Sequence, residues 1–389
     1  MFMLAGCGSS VLLVGGEGGA RGGEGGSGDV GGSGPDTPEL SNCAIVDVAV
    51  GSKHRCARAE DGTVWCWGAW GRLGACESTD SGSPRRVPLD QPAVDVAAGP
   101  DHTCAVLADT TVACWGWDAE DQCGGQFVED WVRLPTLVVD EEGAPFTGAA
   151  AIAAGDTFSC AVSTSGMVWC WGGNGSGVAG ADTSVVVSSP HPVPIPSLTG
   201  VTRLAAGDLH ACAVDGEANL WCWGINYDGQ LGDGTTDVRY EPVLVSADVI
   251  DVGAGLDHTC LVDDQGRPFC WGDNEYSQLG DGTQEGKLTP TAVAPPASEP
   301  WPAVTALGVG KRHSCALTMD ARIVCWGTKG LSGTSFPQLV MLNKPAIDVE
   351  GGESGKCVVQ LDGTLWCDGP VGFPNDFCGS TLLEPDECD

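Results

Sequence analysis

The sequence predicts an all-β chain, a seven-bladed β-propeller of four-stranded antiparallel blades. Three observations carry this. The stretch Val201–Val245 divides into four β-like runs, Val201–Gly207, His210–Asp215, Leu220–Gly224 and Tyr240–Val245, separated by Gly, Asp and Asn clusters that suit turns. Seven cysteine pairs share a spacing of ten: Cys56/Cys66, Cys104/Cys114, Cys160/Cys170, Cys212/Cys222, Cys260/Cys270, Cys315/Cys325 and Cys357/Cys367. Each pair follows a run such as IVDVAVG (Ile45–Gly51), VDVAAG (Val94–Gly99) or IDVGAG (Ile250–Gly255). Trp-Gly follows the second Cys in six of the seven units, and Asp368-Gly369 in the seventh. Seven such units in tandem are the mark of a propeller.

The repeat also resembles a known one. Trp223-Gly224, Asn226, Gly229-Gln230-Leu231-Gly232 and Gly234 are similar to the repeats of the regulator of chromosome condensation (RCC1-like) family. So are Trp271-Gly272, Asn274, Gln278-Leu279-Gly280 and Gly282, and the Gly-x-x-His steps at Gly51–His54, Gly99–His102, Gly207–His210, Gly255–His258 and Gly310–His313. The resemblance covers Cys43 to the C-terminus and implies a seven-bladed propeller. Units one, two, three, six and seven depart from Gly-Gln-Leu-Gly, so the family's ligand-facing details do not transfer.

Within each unit the cysteine pair fits a hairpin. Around the midpoint Asp61, the loop Glu60-Asp61-Gly62 places Gly62 where a G1 bulge needs a left-handed residue. Cys56 then faces Cys66 as a non-hydrogen-bonded pair, with Cα atoms about 4.5 Å apart, at the short end of the disulfide range. Gly166, Gly266 and Gly363 hold the same loop position, whereas Thr110, Ala218 and Ala321 imply different turns. Zinc sites favour two to four residues between ligands, so nine residues across a hairpin fit a bridge better. Five cysteines remain: Cys43, Cys76, Cys123, Cys378 and Cys388. Cys76–Cys123 is the preferred bridge, with Cys76–Cys378 as rival. The seventh unit lacks a clear fourth strand. The N-terminal segment is expected to supply it, with Cys43 bridging Cys378 or Cys388.

The segments before the repeats are different in kind. Residues 1–14 read as an export or lipoprotein signal remnant, because Leu4-Ala5-Gly6-Cys7 matches a lipobox in which Cys7 is lipidated. The upstream part is short and lacks Lys and Arg, so a chance match or another export signal is the alternative. Residues 15–42 read as a flexible linker, since Gly15–Gly34 holds twelve glycines in twenty residues. The propeller is assigned to 43–389.

A formal net charge of −34 argues against nucleic acid as a partner. It supports solubility and suggests a cationic partner, or none, an acidic solvated surface being the plain alternative. Trp65, Trp67, Trp115, Trp169, Trp171, Trp221, Trp223, Trp271, Trp326 and Trp366 flank the second cysteines, and alternation turns them to the opposite face to pack between blades. The steps Gly99–Thr103 and Gly310–Ser314 lack the Trp that light sensing by the related plant ultraviolet-B receptor requires. His54, His102, His210, His258 and His313 recur two residues before the first cysteine, and a repeated structural hydrogen bond is the expected reason. Asp228, Asp233 and Asp237 miss the calcium-loop spacing.

No metal, cofactor or catalytic motif is expected: there is no Gly-x-Ser-x-Gly, His-Glu-x-x-His or Walker sequence. The expected function is a non-enzymatic, monomeric binding propeller. It would be lipid-anchored or secreted in the oxidising cell envelope and would recognise a protein or polymer. A β-lactamase inhibitor propeller of similar fold shows what the resemblance allows. The alternatives are nucleotide exchange on a small GTPase, as in the family's nuclear member, and a secreted hydrolase. The loops after Trp-Gly, 69–85, 117–133 and 225–238, are the expected docking face. Asn226, Tyr227, Asp228, Gln230, Asp233 and Asp237 are its candidate contacts.

Overall fold

The computed structural model describes residues 44–75, 80–125, 130–179, 188–296, 300–327, 336–353 and 355–368. Seven antiparallel sheets follow one another along the chain, each in simple up-and-down order. In the fourth blade the strands are Val201–Ala206, His210–Asp215, Leu220–Gly224 and Arg239–Ser246. The first strands of successive blades meet at the centre, and the seventh blade meets the first. The described part of the seventh blade has three strands, Ala346–Gly351, Lys356–Gln360 and Leu365–Cys367. It closes onto the first blade through Ile45 N donating to Gly363 O at 3.1 Å. Arg55 Nη2 donates to Asp368 O at 2.7 Å. The expected fourth-strand segment and Cys43, Cys378 and Cys388 lie outside the described residues, as do Cys7 and the glycine-rich stretch.

Every ten-spaced pair is a disulfide. Cys56 pairs in register with Cys66 and Cys212 with Cys222, and the Cα atoms stand 4.0–4.1 Å apart in all seven bridges. The hairpin above the first bridge closes as expected, with Ala59 N to Thr63 O at 2.9 Å and Gly62 N to Ala59 O at 3.0 Å. One expectation is corrected here. Thr110, Ala218 and Ala321 do not mark different turns: their φ angles are 69°, 64° and 61°, beside 82° at Gly62. The closing bonds are the same, for example Ala218 N to Asp215 O at 3.0 Å. A left-handed non-glycine residue costs about 1–2 kcal/mol, which the complete ladder of each hairpin offsets. Asp215 adds to it, its Oδ1 accepting from both Glu217 N and Asn219 N at 2.9 Å.

The core is a set of seams rather than one central mass. All but one of the buried clusters join the disulfide of one blade to the Trp of the next. Cys56 and Cys66 lie with Trp115, Cys104 and Cys114 with Trp171, and Cys160 and Cys170 with Trp223. Cys212 and Cys222 lie with Trp271, Cys260 and Cys270 with Trp326, and Cys357 with Trp67. Cystine therefore faces forward and Trp backward, as strand alternation requires.

Cys325 departs from that pattern. It is bridged to Cys315 and stands opposite it in register, as expected from the spacing. The next blade, however, carries Asp368 where the other units have Trp. No fully buried indole covers this cystine. It packs instead against Val349 and Val358 of the seventh blade, with Trp366 only partly buried beside them. Valines fill less of the seam than an indole does, and Cys325 is left 3% exposed where Cys315 is fully buried.

Candidate functional site

Consecutive antiparallel strands alternate direction. The turns between first and second strands therefore emerge on the same face as the loops between third and fourth. The two sets are bonded together: Ala69 N donates to Lys53 O at 2.8 Å, Trp117 N to Asp101 O at 2.9 Å and Ile225 N to Leu209 O at 3.0 Å. This is the loop face. The tight hairpins at Asp61-Gly62 and its equivalents lie on the opposite one.

A repeated joint fixes these loops. The buried Trp of one blade donates its Nε1–H to a loop carbonyl of the blade before. Trp115 reaches Arg72 O at 3.2 Å, Trp171 reaches Gln122 O at 3.0 Å and Trp223 reaches Val178 O at 3.0 Å. Trp271 reaches Gln230 O at 2.9 Å and Trp326 reaches Gln278 O at 2.8 Å. The backbone carries the joint, so the side chain at that position is free to change. Units one, two and three therefore depart from Gly-Gln-Leu-Gly without losing it.

The histidines complete the seam. His54 Nε2 meets Thr103 Oγ1 at 2.7 Å, His102 meets Ser159 Oγ at 2.9 Å, His210 meets Thr259 at 2.8 Å and His258 meets Ser314 at 2.9 Å. Where the onward bond is formed, the hydroxyl donates to the loop carbonyl, as Thr259 Oγ1 does to Gln230 O at 2.8 Å. It must then accept from the imidazole, so the ring carries its proton on Nε2. Burial drives the ring pKa down to about 3 at His54, His210 and His258 and to about 4 at His102 and His313, so all five are neutral.

The exceptions are matched. Blade three carries Phe158 in place of His, and the facing position in blade four is Ala211, both fully buried. The seventh blade offers Lys356 to His313, and its Gly355 leaves room filled by Arg55 of the first blade. Lys356 is itself paired with Asp368, the same residue that takes the Trp position in this unit. This pairing of the His position with the residue after His in the next unit was present in the sequence but invisible to a reading taken unit by unit.

At the centre of the loop face stands a ring of glycines, Gly51, Gly99, Gly155, Gly207, Gly255, Gly310 and Gly352. A Cβ on any of the first six would collide with its neighbour's carbonyl oxygen, and on Gly352 with Val50. The close approach leaves a narrow axial opening lined by glycines of this ring and by Asp208, Lys311 and Glu353. Across its mouth Lys311 Nζ lies 3.6 Å from Asp208 Oδ2 and 3.5 Å from Glu353 Oε1. Burial, opposed by Lys311, raises Asp208 to about 7. Burial and the nearby Asp228 and Asp273 raise Asp257 to about 6.

The six candidate contacts divide evenly. Asn226 is fully buried, with Oδ1 accepting from Leu231 N at 3.0 Å and Nδ2 donating to Thr235 O at 3.0 Å. Gln230 is also buried, its Nε2 donating to Asp257 Oδ1 at 3.1 Å. Asp233 accepts from Thr235 N at 2.9 Å and pairs with Arg239 at 2.6 Å. These three hold the loop's shape. Tyr227, Asp228 and Asp237 face solvent.

Cys123 corrects the preferred extra bridge. It is a free thiol, fully buried in the place that Leu231 holds in the fourth blade, with its N donating to Asp118 Oδ1 at 2.6 Å. Burial first, then the Asp118 carboxylate, pushes the thiol well above its ordinary range. Cys76, the other half of that expected bridge, lies outside the described residues.

Sequence reasoning missed a second buried set. Asp47, Asp95, Asp251 and Asp348 occupy one equivalent position on the first strands, near the hairpin face. Asp95 Oδ2 accepts from Ile152 N of the next blade at 2.9 Å, and Asp251 Oδ2 from Leu307 N at 2.8 Å. Arg58 Nε donates to Asp47 Oδ2 at 3.2 Å. Burial and the Asp47 charge raise Asp95 to about 7 and hold Asp348 well above the carboxylate range. The Asp inside each Val-Asp-Val-type run was the available signal. Among the described residues, no group of three or more His, Cys, Asp or Glu is placed to hold a metal ion, and no helix is long and apolar enough to cross a membrane.

The geometry defines a class: a disulfide-stapled seven-bladed propeller whose blades lock through loop carbonyls. The RCC1-like domain model matches residues 68–370, and the RCC1 repeat model matches residues 45–72. The chain belongs to the RCC1-like domain family. It is 29% identical over 215 residues to the human E3 ubiquitin-protein ligase HERC2, spanning 54% of this chain and 4% of that one. It is 27% identical over 208 residues to the ultraviolet-B receptor UVR8 of Arabidopsis thaliana, spanning 52% and 46%. The chain thus matches less than half the length of these relatives. Prp20p from Saccharomyces cerevisiae, whose structure was described with its binding to Gsp1p and histones, superposes with a TM-score of 0.69 at 20% identity, covering 86% of this chain and 84% of that one.

Proposed function

We propose that the chain is a non-enzymatic binding propeller that docks a protein of basic surface on its loop face. One observation carries the reading: the frame of that face repeats from blade to blade, while its exposed residues do not. Buried Asn226, Gln230 and the loop carbonyls hold the loops still, which lowers the ordering cost of binding. Exposed Tyr227, Asp228 and Asp237 are then displayed on a rigid scaffold, where recognition usually sits. The carboxylates of this face and the net charge of −34 favour a cationic partner and fast association at low salt.

The seven disulfides support an oxidising compartment. We place the chain at the cell surface or in the periplasm, anchored through Cys7, with 15–42 as its tether and an envelope polymer as the other class of occupant. Nucleotide exchange rests on analogy of fold alone.

The test uses Tyr227→Ser/Asp228→Asn/Asp237→Asn, which leaves Asn226, Gln230 and Asp233 intact. Its control is Glu60→Gln/Asp61→Asn on the hairpin face. Affinity for the partner captured from the exported fraction should fall only in the first variant. Loss confined to the hairpin variant would place the docking surface on the wrong side of the disc.

A further inference from the structure

The loop face is not uniform. Between the first and second blades it carries a cluster of three tryptophans. Trp70 stacks on Trp131 with ring centroids 5.8 Å apart and planes inclined by 26°. Trp117 meets Trp131 edge-on at 5.0 Å. The Arg72 guanidinium lies over the Trp131 ring at 5.0 Å, while its Nε donates to Asp101 Oδ1 at 2.5 Å and its Nη1 to Trp70 O at 3.3 Å. The Trp70 backbone is fixed by its N–H to Asp80 Oδ1 at 3.0 Å. The Trp70 side of the cluster is open: that residue is 40% exposed.

Exposed indole in so acidic a surface calls for an explanation. The carboxylates of Asp80 and Asp101 lie beside it, one on the Trp70 N–H and the other on Arg72, and a π face beside carboxylates attracts a cation. A guanidinium is favoured over an ammonium, because it is planar, weakly hydrated and can stack on the ring while its edge donates to a carboxylate. Arg72 already shows that arrangement within the chain, held between Trp131 and Asp101. A neutral sugar would use the flat ring but gain nothing from the charge.

We infer that the Trp70–Trp117–Trp131 cluster is an anchor for an arginine side chain on a basic polypeptide, with the open Trp70 face as its seat. The inference rests on the docking face proposed above and narrows it to one residue type and one place.

Labelled nona-arginine and nona-lysine serve as probes, with cellohexaose as a neutral carbohydrate, and binding is read at low salt by anisotropy and by tryptophan quenching. The full chain should bind nona-arginine more tightly than nona-lysine. Trp70→Ala should weaken nona-arginine by about tenfold and leave nona-lysine nearly unchanged. Circular dichroism and intact disulfides check that the variant is folded. If both peptides bind equally and Trp70→Ala changes neither, the anchor is wrong. A fall in both with Asp228→Asn/Asp237→Asn would then leave the acidic face standing. If neither peptide binds, the face and the anchor fail together. Cellohexaose binding that is lost in Trp70→Ala would overturn the arginine assignment in favour of a polysaccharide.

Discussion

Replacing Thr259 by Ala should destabilise the propeller, and adding His210→Phe should give much of that stability back. Thr259 Oγ1 accepts from His210 Nε2 and donates to Gln230 O, and both His210 and Thr259 are fully buried. Thr259→Ala leaves the imidazole N–H without an acceptor in a place that water does not reach, which costs about 1–3 kcal/mol. The lost methyl adds about 0.8 kcal/mol. Gln230 O keeps its bond from Trp271 Nε1, so the loop itself should stay in place. His210→Phe alone removes the polar partner and presses a larger ring against the Thr259 side chain, for about 1–2 kcal/mol. The double variant rebuilds the Phe158/Ala211 seam of blades three and four. Gly155 lies against the Phe158 ring as Gly207 lies against the His210 ring, so the pocket accepts either. The double variant should therefore be more stable than Thr259→Ala alone, with a coupling of about 2 kcal/mol. Urea unfolding without reductant, at unchanged slope, reads the difference. If the two single losses simply add, the seam residues do not recognise one another and the argument is wrong.

Further outcomes follow from other parts of the molecule. Alkylation without reductant should leave the fourteen paired cysteines unlabelled, and Cys123 should react only once the chain is unfolded; rapid labelling of Cys123 in the native protein would contradict its burial. Ala218→Gly should raise stability by up to about 1 kcal/mol, the reverse of the usual effect of this change, because it relieves a left-handed residue; a lowered melting temperature would count against the shared turn. The change in stability from pH 6 to pH 8 should be more positive in Asp208→Asn than in the parent chain, by about 1 kcal/mol. Asp95, Asp118 and Asp208 are raised to about 7, so the folded chain holds protons that the unfolded chain has released above about 4, and this stabilisation is lost as pH rises toward 7. The five histidines act oppositely: stability is lost as pH falls through their ordinary 6.5 toward 3 to 4, so between pH 6 and pH 7 they offset the carboxylates and leave the net change in the parent chain small. An identical pH profile in Asp208→Asn and the parent would refute the carboxylate part of this balance. Finally, Cys7→Ser should release the chain from the membrane fraction, and undiminished retention would dismiss the anchor.

The fold was legible because its strongest signal is a length. A cysteine pair spaced by ten, with a turn at its midpoint, determines a hairpin register, and seven copies determine the ring. The packing direction of the tryptophans followed from alternation alone. What stayed hidden lies between units. His210 and Thr259 are 49 residues apart, and their bond exists only once two blades touch. Cys325 shows the same limit: its bridge could be read from spacing, but the valines that cover it belong to the next blade. Thr110, Ala218 and Ala321 look incompatible with a left-handed position when propensity is taken alone, yet tertiary closure overrides it. Cys123 invites pairing by its place in the loop, whereas it fills that loop as a small apolar plug. Asp95 and Asp348 sit inside apolar runs and passed as strand residues, although a carboxyl there must be satisfied across the blade boundary or remain protonated. Asn226 and Gln230 were conspicuous by motif, and motif residues proved to be scaffold.

Every bridge among the described residues joins neighbouring strands of a single blade, and none crosses a seam. Eight cysteines alone allow 105 pairings, so a chain with this many thiols faces a sorting problem during oxidation. Here the mate of the first cysteine in each pair is the next cysteine along the chain, ten residues on. Each bridge can therefore close as soon as its own hairpin forms, before the neighbouring blade is in place. The seams carry no covalent bond among the described residues, so the circle can be left for last.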